Sequence, residues 1–304
     1  MNNVLVTGGA GFIGSHICDA LIEKNFNVFV IDNLSTGKIE NLNKKVSFFK
    51  IDITNQSALE DFFKDNQIDY IFHFAAQSNV KKSIKNPVQD AKINIIGTIN
   101  LINFAKKYNV KKIISASTAA VYGNQSIFPI SEDTKLNPVS SYGISKFAME
   151  LYLQNSGINF TILRYSNVYG SRQETSSESG VVSIFMNKLY NDKTIKIYGD
   201  GEQSRDFIFI KDVVEANIKA INKDCDGNIF NISTAKSTSI NNLCKIINEN
   251  IGNKILKVKF VKERAGDINH SVLDNSKAIK FGLLTNTTNI MSGLKILSLD
   301  LSNN

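Results

Sequence analysis

The feature that most restricts what this chain can become is the run Thr7-Gly8-Gly9-Ala10-Gly11-Phe12-Ile13-Gly14. It follows the apolar segment Val4–Thr7 directly and leads directly into Ile13–Lys24, whose apolar residues recur at helical spacing. In that strand-to-helix context Gly9-x-Gly11-x-x-Gly14 permits a tight turn, close backbone approach to a bound group and close packing of helix on strand. The unpaired N–H groups at the helix start then favour negative charge in front of the loop. Asp32 ends the next apolar run, Val28–Asp32, 18 residues after Gly14. A carboxylate there accepts hydrogen bonds from a ribose diol and repels a 2′-phosphate, so the loop predicts a dinucleotide and favours NAD over NADP.

Beyond the loop, short apolar runs alternate with longer amphipathic ones. Strands are predicted at Val4–Thr7, Val28–Asp32, Val46–Ile51, Tyr70–Phe74, Lys112–Ser115 and Asn159–Leu163, and helices at Ile13–Lys24, Ser57–Lys64, Val88–Lys107 and Ser141–Leu153. Such alternation is the signature of an α/β fold, a doubly wound (Rossmann) parallel sheet with helices on both faces. It weakens after Arg164, where a Ser/Glu-rich stretch at Gln173–Gly180 precedes mixed short elements and a strand-like run at Phe207–Ile210. The expected organisation is a dinucleotide-binding domain from residues 1–165 plus about 207–232, and a smaller, discontinuous C-terminal substrate lobe from about 166–206 and 233–304.

Composition removes several alternatives. The 304 residues are 42% hydrophobic, enough for a sizeable core. The first residues lack the pattern of a secretory signal, and no run approaches the roughly 18 apolar residues of a membrane span, so neither is expected. Cys18, Cys225 and Cys244 are far apart, odd in number and without ligand spacing; buried thiols in a reducing cytoplasm are expected rather than disulfides. His16, His73 and His270 have no acidic companions at ligand spacing, so no metal is proposed. The net charge of +7 comes from scattered lysine pairs such as Lys44-Lys45 and Lys81-Lys82 rather than one stripe, which argues against nucleic acid. Among 35 basic residues only Arg164, Arg172, Arg205 and Arg264 are arginine. Where lysine serves for generic charge, arginine marks places that need a planar, bidentate donor, and phosphate recognition is one such need.

A second motif, Tyr142-Gly143-Ile144-Ser145-Lys146, lies on the helix predicted after Pro138. Four residues apart on a helix, the phenol and the ammonium share one face, where the cation favours the phenolate. A tyrosine base near neutral pH needs its pKa brought from about 10 to about 7, roughly 4 kcal/mol of differential stabilisation. The lysine, a nicotinamide's positive charge and exclusion of water are expected to supply it together.

Thr7–Gly14, Ser117–Gly123 and Tyr142–Lys146 resemble the extended short-chain dehydrogenase/reductases. Arg164–Gly170, Gly199–Asp206 and Arg264–Asp267 are similar to the branch that epimerises UDP-glucose or UDP-N-acetylglucosamine at C4. The match runs in the family's order over nearly the whole chain and weakens after Leu284. The resemblance implies Tyr142 as the base, Lys146 as its activator and a ribose contact, and Thr118 as the hydroxyl bonded to the sugar O4. It implies NAD held by Gly8, Gly11, Phe12, Ile13 and Gly14, with Asp32, Asn33, Ser35 and Gly37 at the adenosine ribose and Asp52 and Ile53 at adenine. Phe74, Ala75 and Ala76 would also touch the cofactor, and Asn94 would be structural or close to it. Asn167, Arg205 and Arg264 would bind the diphosphate of a UDP-sugar, with Asp267 near the uridine ribose and Ser271 facing the sugar.

The reaction so implied is transient oxidation at C4 to a 4-keto sugar, rotation of that intermediate, and return of hydride to the opposite face. Dehydratases and decarboxylases of this fold need an acid just after the catalytic threonine; here Ala119 and Ala120 stand there, which makes epimerisation the simpler outcome. A uronate 4-epimerase, a dehydratase, a reductase releasing NAD and a non-catalytic dinucleotide-binding sensor remain alternatives, although a sensor has little reason to keep Thr118, Tyr142 and Lys146 together. Ser271 is small where family members restricted to unsubstituted hexoses tend to carry tyrosine, which implies room for a C2 acetamido group. By analogy, the partner protein would be a second copy, packed through Val88–Lys107 and Ser141–Leu153.

Overall fold

The structure, a computed structural model, describes residues 2–174, 180–251, 255–263 and 268–302. Strands β1 (Asn3–Thr7), β2 (Asn27–Ile31), β3 (Ser47–Phe49), β4 (Tyr70–His73), β5 (Lys112–Thr118) and β6 (Phe160–Tyr165) form one sheet with a seventh strand, Asn228–Ile232. The order runs from Asn228–Ile232 through β6, β5, β4, β1 and β2 to β3, and every pairing is parallel. Helices α1 (Phe12–Glu23), α2 (Gln56–Asp65), α3 (Val80–Lys85), α4 (Pro87–Ala91), α5 (Gly97–Lys107) and α6 (Ser141–Gln154) accompany these strands. Among the described residues no helix is long and apolar enough to cross a membrane.

The two-residue period of a strand explains how one sheet carries two cores. Val4, Val6, Val28, Val30, Ile114 and Leu163 pack with Ile17 and Leu21 of α1 and with Val213 and Ala216 of the helix Ile210–Lys219. Their neighbours Leu5, Phe29, Ile31, Ile113 and Ile162 pack on the other face with Leu59 and Phe62 of α2, Leu101 and Phe104 of α5, and Met149 and Leu153 of α6. A sheet covered on both faces needs continuous apolar strands, and β6 is buried along its whole length. A third cluster joins Phe185, Met186, Phe207, Leu243 and Ile247 to Leu294 and Leu297 of the last helix, Ile290–Ser302.

Three elements depart from the periodicity reading. The seventh strand, Asn-Ile-Phe-Asn-Ile, carries two residues that strands disfavour. Asn231 is tolerated because its side chain is fully used: it accepts from the Tyr122 hydroxyl at 2.7 Å and donates to the Ile130 carbonyl at 2.9 Å. The predicted helix Val88–Lys107 is helical throughout but holds a π-helical turn at Lys92–Ile96 between α4 and α5. The run at Phe207–Phe209 is a strand, but it pairs with Asn167–Tyr169 rather than with the central sheet.

One buried ion pair links α6 to β6. Glu150, fully buried, accepts from Arg164 Nε at 3.0 Å and Nη2 at 2.6 Å, and from the Ser117 hydroxyl. Arg164 Nη1 donates to the Tyr122 hydroxyl at 2.9 Å, and the guanidinium lies 4.9 Å from that ring's centre. The planar fork expected of an arginine is present here, but its partner is a carboxylate of the fold. Arg164→Met leaves a buried carboxylate unpaired and is expected to lower stability by about 3–5 kcal/mol, with part of that loss recovered in the Glu150→Gln/Arg164→Met double variant. Denaturant unfolding measures both; a loss for the single variant below about 1 kcal/mol, the range of exposed pairs, shows that the pair does not hold α6 to β6.

Candidate active site

The order of the sheet reverses between β1 and β4, and in doubly wound folds the crevice at such a reversal is where ligands bind. Thr7 and His73 end these strands in register, so the loops that follow them leave the sheet side by side. Gly8 carries the positive φ of the loop, +70°, and a Cβ there would stand 2.6 Å from Ala75 N. A Cβ on Gly14 would stand 2.3 Å from the Gly8 carbonyl, so that glycine lets α1 sit on the turn. Gly9, in the same turn, packs against Val30, whose Cγ1 would stand 2.7 Å from a Cβ there. Gly11 precedes α1 without a side-chain cap, which leaves first-turn N–H groups open to an anion.

Asp32 closes the far side of this loop. One carboxylate oxygen accepts from Leu34 N–H at 2.8 Å and the other from Ala10 N–H at 3.0 Å. Burial pushes this carboxyl up, and the two N–H bonds oppose the shift. Asn33 donates to Asp52 at 2.8 Å and accepts from Ser35 N–H at 2.9 Å, while a Cβ on Gly37 would stand 3.0 Å from Asp32 Oδ2. Asp32, Asn33, Ser35, Gly37 and Asp52 therefore share one rim beyond β2 and β3. Ile53 is buried against α5, where a Cβ on Gly97 would meet it at 2.5 Å. Phe74, Ala75 and Ala76 follow β4, with Phe74 N–H bonded to the Thr7 carbonyl at 3.0 Å and Ala75 N–H to the Thr7 hydroxyl at 3.3 Å. A close-approach glycine, an uncapped helix start and a buried carboxylate in one crevice fit a dinucleotide.

Beneath this crevice lies a polar chain of which the sequence reading singled out only Asn94. The Thr98 hydroxyl donates to the Asn94 carbonyl at 2.7 Å, so at 2.9 Å from His73 Nε2 it must accept. That fixes the proton on Nε2 and leaves Nδ1 to accept from the Thr7 hydroxyl at 2.8 Å. Burial, with the nearby charge of Lys146, pushes His73 down to about 3, so it stays neutral. Asn94 clamps the Gln77 backbone, accepting from its N–H at 2.8 Å and donating to its carbonyl at 2.9 Å, and also donates to Ser145 on α6 at 3.0 Å.

Thr118 ends β5 and Tyr142 stands in the first turn of α6. The Thr118 side chain lies close enough to the phenol to favour its ionised form. Ser140 caps α6 by accepting from Gly143 N–H at 3.1 Å, and the fully buried Ser83 accepts from Tyr142 N–H at 3.0 Å. A Cβ on Gly143 would lie 2.7 Å from the Ala120 carbonyl, so the glycine lets the helix press against the turn after β5. Lys146 is buried, and its ammonium donates to the Met149 sulfur at 3.3 Å. Burial pulls Lys146 down to about 8, against the charges of Glu150 and Asp90. Burial pushes the Tyr142 phenol up to about 12, opposed by the nearby Thr118 hydroxyl and reinforced by Asp90. The expectation that a lysine one turn away lowers this phenol is therefore not met by the protein alone, because burial dominates both groups.

On the substrate side, Asn167 is exposed and donates its N–H to the Asp206 carbonyl at 2.9 Å. Arg205 pairs in register with Ser271, and its Nη1 donates to the Ser204 carbonyl at 2.9 Å. Phe12 reaches toward this region, since a Cβ on Gly170 would lie 3.6 Å from its ring. Beside Arg205 opens a cavity of about 430 Å³ lined by residues that include Tyr198, Asp200, Glu202, Gln203, Glu263 and His270. Arg264 and Asp267 lie outside the described residues. Arg172, like Arg164, serves the fold, pairing with Asp19 of α1 at 2.8 Å.

A glycine loop at the switch point, facing a Thr-Tyr-Lys set on the neighbouring strand and helix, defines a dinucleotide-dependent short-chain dehydrogenase/reductase. The model of the NAD dependent epimerase/dehydratase family matches residues 4–233, and the chain belongs to that family. It is 38% identical to a UDP-glucose 4-epimerase of Mycolicibacterium smegmatis over 284 residues, 90% of either chain. The crystal structure of Thermotoga maritima UDP-glucose 4-epimerase with UDP-glucose superposes with a TM-score of 0.94 at 41% identity, covering 99% of this chain and 100% of that one. UDP-N-acetylglucosamine 4-epimerase of Methanobrevibacter ruminantium, in complex with UDP-N-acetylmuramic acid, superposes with a TM-score of 0.92 at 38% identity, covering 100% and 99%.

Proposed function

We propose that this protein inverts the C4 hydroxyl of a UDP-hexose or UDP-N-acetylhexosamine through a transient 4-keto sugar, with NAD retained between turnovers. The observation that carries the reading is the meeting of Thr118 at the end of β5 with Tyr142 in the first turn of α6, with the Lys146 ammonium buried one turn further along. The loop Gly8–Gly14, the rim from Asp32 to Gly37 with Asp52 and Ile53, and Phe74–Ala76 would hold the cofactor, and Lys146 would also reach its ribose. NAD, when bound, supplies the acceptor and donor for the C4 hydrogen and a positive charge beside the phenol.

Tyr142 takes the proton of O4 and later returns it, while Thr118 fixes O4 and Tyr142 in one line. Bringing the phenol from about 12 into the neutral range takes roughly 7 kcal/mol of phenolate stabilisation. The Thr118 hydroxyl already contributes to that value, so the Lys146 ammonium and the cofactor's charge must supply this stabilisation. Asn167, Arg205 and Arg264 hold the nucleotide diphosphate and Asp267 lies near the uridine ribose, leaving the sugar free to turn about its linkage and present its other face. Ala119 and Ala120 put no carboxylate beside O4, so proton transfer at C5 has no acid/base partner there. The exposed apolar residues Val88 and Ile96 on one helical stretch, and Ile144, Leu151 and Tyr152 on α6, are the face through which two copies pair.

Tyr142→Phe removes only the ionisable hydroxyl and is expected to fold and hold NAD yet lose turnover of UDP-glucose and UDP-N-acetylglucosamine, followed by proton NMR of the anomeric signals. Turnover within about tenfold of wild type, or about 1.4 kcal/mol, removes Tyr142 as the base. Ser271→Tyr is expected to suppress the N-acetylated substrates selectively, since overpacking of about 1–3 kcal/mol corresponds to roughly tenfold to over a hundredfold in rate. Equal effects on both substrate classes, or none, take Ser271 out of specificity. In sedimentation velocity the wild type is expected as a dimer and Ile144→Glu/Leu151→Glu as a monomer; a monomeric wild type contradicts the pairing.

A further inference from the structure

Asp206 stands between Arg205, which ends the strand Ser204–Arg205, and the strand Phe207–Phe209. It is 1% exposed, and every polar group it carries is bonded to a distant part of the chain. Its backbone N–H donates to the Ser271 carbonyl at 3.0 Å, and its carbonyl accepts from Asn167 N–H at 2.9 Å. Its Oδ1 accepts from Thr234 N–H at 2.9 Å, from the Thr234 hydroxyl at 2.7 Å and from the Ser166 hydroxyl at 3.3 Å. Its Oδ2 accepts from Ala235 N–H at 3.0 Å. Ala235 has a φ of +56°, in the left-handed region that a residue with a Cβ enters only where its surroundings hold it there. The N–H groups of Thr234 and Ala235 both end on this one carboxylate, which is what holds the turn.

That turn leaves the strand Asn228–Ile232 of the central sheet and also grips the segment behind Ser271. Ser233 donates its hydroxyl to the Leu273 carbonyl at 3.0 Å, and its own carbonyl accepts from Asn275 at 2.9 Å. The strands Ser204–Arg205 and His270–Ser271 are so short that backbone pairing alone holds them weakly. The Asp206 carboxylate supplies the missing hold, tying the central sheet to the strands that carry Asn167, Arg205 and Ser271. None of its hydrogen-bond partners belongs to the loops assigned to NAD or to the set of Thr118, Tyr142 and Lys146. We propose that Asp206 is a positioning residue for the substrate: its carboxylate fixes the spacing of Asn167, Arg205 and Ser271, and with it the affinity for the nucleotide diphosphate, without touching substrate or cofactor. This rests on the reading of Asn167 and Arg205 as diphosphate contacts.

Asp206→Asn keeps the volume and an acceptor toward Thr234 and Ser166, but it sets an amide N–H against Ala235 N–H. The turn is released while the backbone bonds of residue 206 remain. In the NAD-loaded enzyme, UDP binding followed by titration calorimetry is expected to weaken by about threefold or more, with KM for UDP-glucose or UDP-N-acetylglucosamine rising in parallel. Bound NAD and kcat are expected to stay within about threefold of wild type, because lost ground-state binding raises KM alone. A smaller change in UDP affinity, or a larger loss of NAD or of kcat, overturns the proposal and leaves Asp206 a structural residue. If Asp206→Asn does not fold, Thr234→Val removes one donor to the carboxylate at constant shape and is judged by the same limits; failure of both to fold assigns Asp206 to structure alone. Arg205→Ala separates the two levels. If it binds UDP as wild type does, the diphosphate reading itself falls; if it loses UDP while Asp206→Asn keeps it, only the role of Asp206 falls.

Discussion

The parallel pairing of β1 with β4 is the constraint on which the rest of the site depends. The chain starts in the middle of the sheet, extends outward through β2 and β3, then returns past β1 to continue in the other direction. Loops leaving β1 and β4 therefore diverge to opposite faces, and the gap between them cannot be closed by either. Register does the rest. With Thr7 opposite His73, Gly8 meets Ala75 at a distance that only a residue without a side chain tolerates. The same register delivers the Thr7 hydroxyl to His73, whose other nitrogen reaches α5 through Thr98. Each donor in that chain has one acceptor, so the floor of the crevice has one arrangement of protons and a histidine that does not titrate in the working range.

α6 is held by polar contacts as much as by its apolar face. Ser83 takes the N–H of Tyr142, Asn94 reaches Ser145, and Glu150 is locked to Arg164. These three anchors come from α3, the π-helical turn and β6, so the orientation of Tyr142 and Lys146 depends on three separate parts of the chain. Burial then moves the two groups in opposite directions, the phenol up and the ammonium down, because each is penalised for its charged form. The site is thus held in a neutral-leaning state by the protein, and charges placed against it decide when Tyr142 ionises.

Arginine illustrates how a sound chemical argument is redistributed by the fold. The scarcity of arginine pointed to bidentate recognition, and the structure does use Arg164 in a bidentate pair, but with Glu150 in the core. Arg172 braces α1 through Asp19, and Arg205 lies on the strand paired with Ser271, beside the cavity. What arginine supplies was legible from composition; to whom it supplies it depended on which carboxylate the folded chain brought within reach.

By itself the sequence determined the parts whose geometry is local: short continuous apolar runs that bury both strand faces, the glycine loop between β1 and α1, Asp32 at the end of β2, and Tyr142 and Lys146 one helical turn apart. Each depends on neighbours a few residues away, and short-range spacing encodes such neighbours directly. Tertiary structure decided that Gly8 rather than Gly9 takes the left-handed conformation, because the Ala75 backbone arrives there from a strand more than sixty residues on. It admitted Asn228–Ile232 to the sheet by giving Asn231 partners from Tyr122 and Ile130. It also decided that burial, not the spacing of Tyr142 and Lys146, governs their proton affinities. Desolvation and long-range pairing exist only once distant segments close around a group, and no local pattern records them.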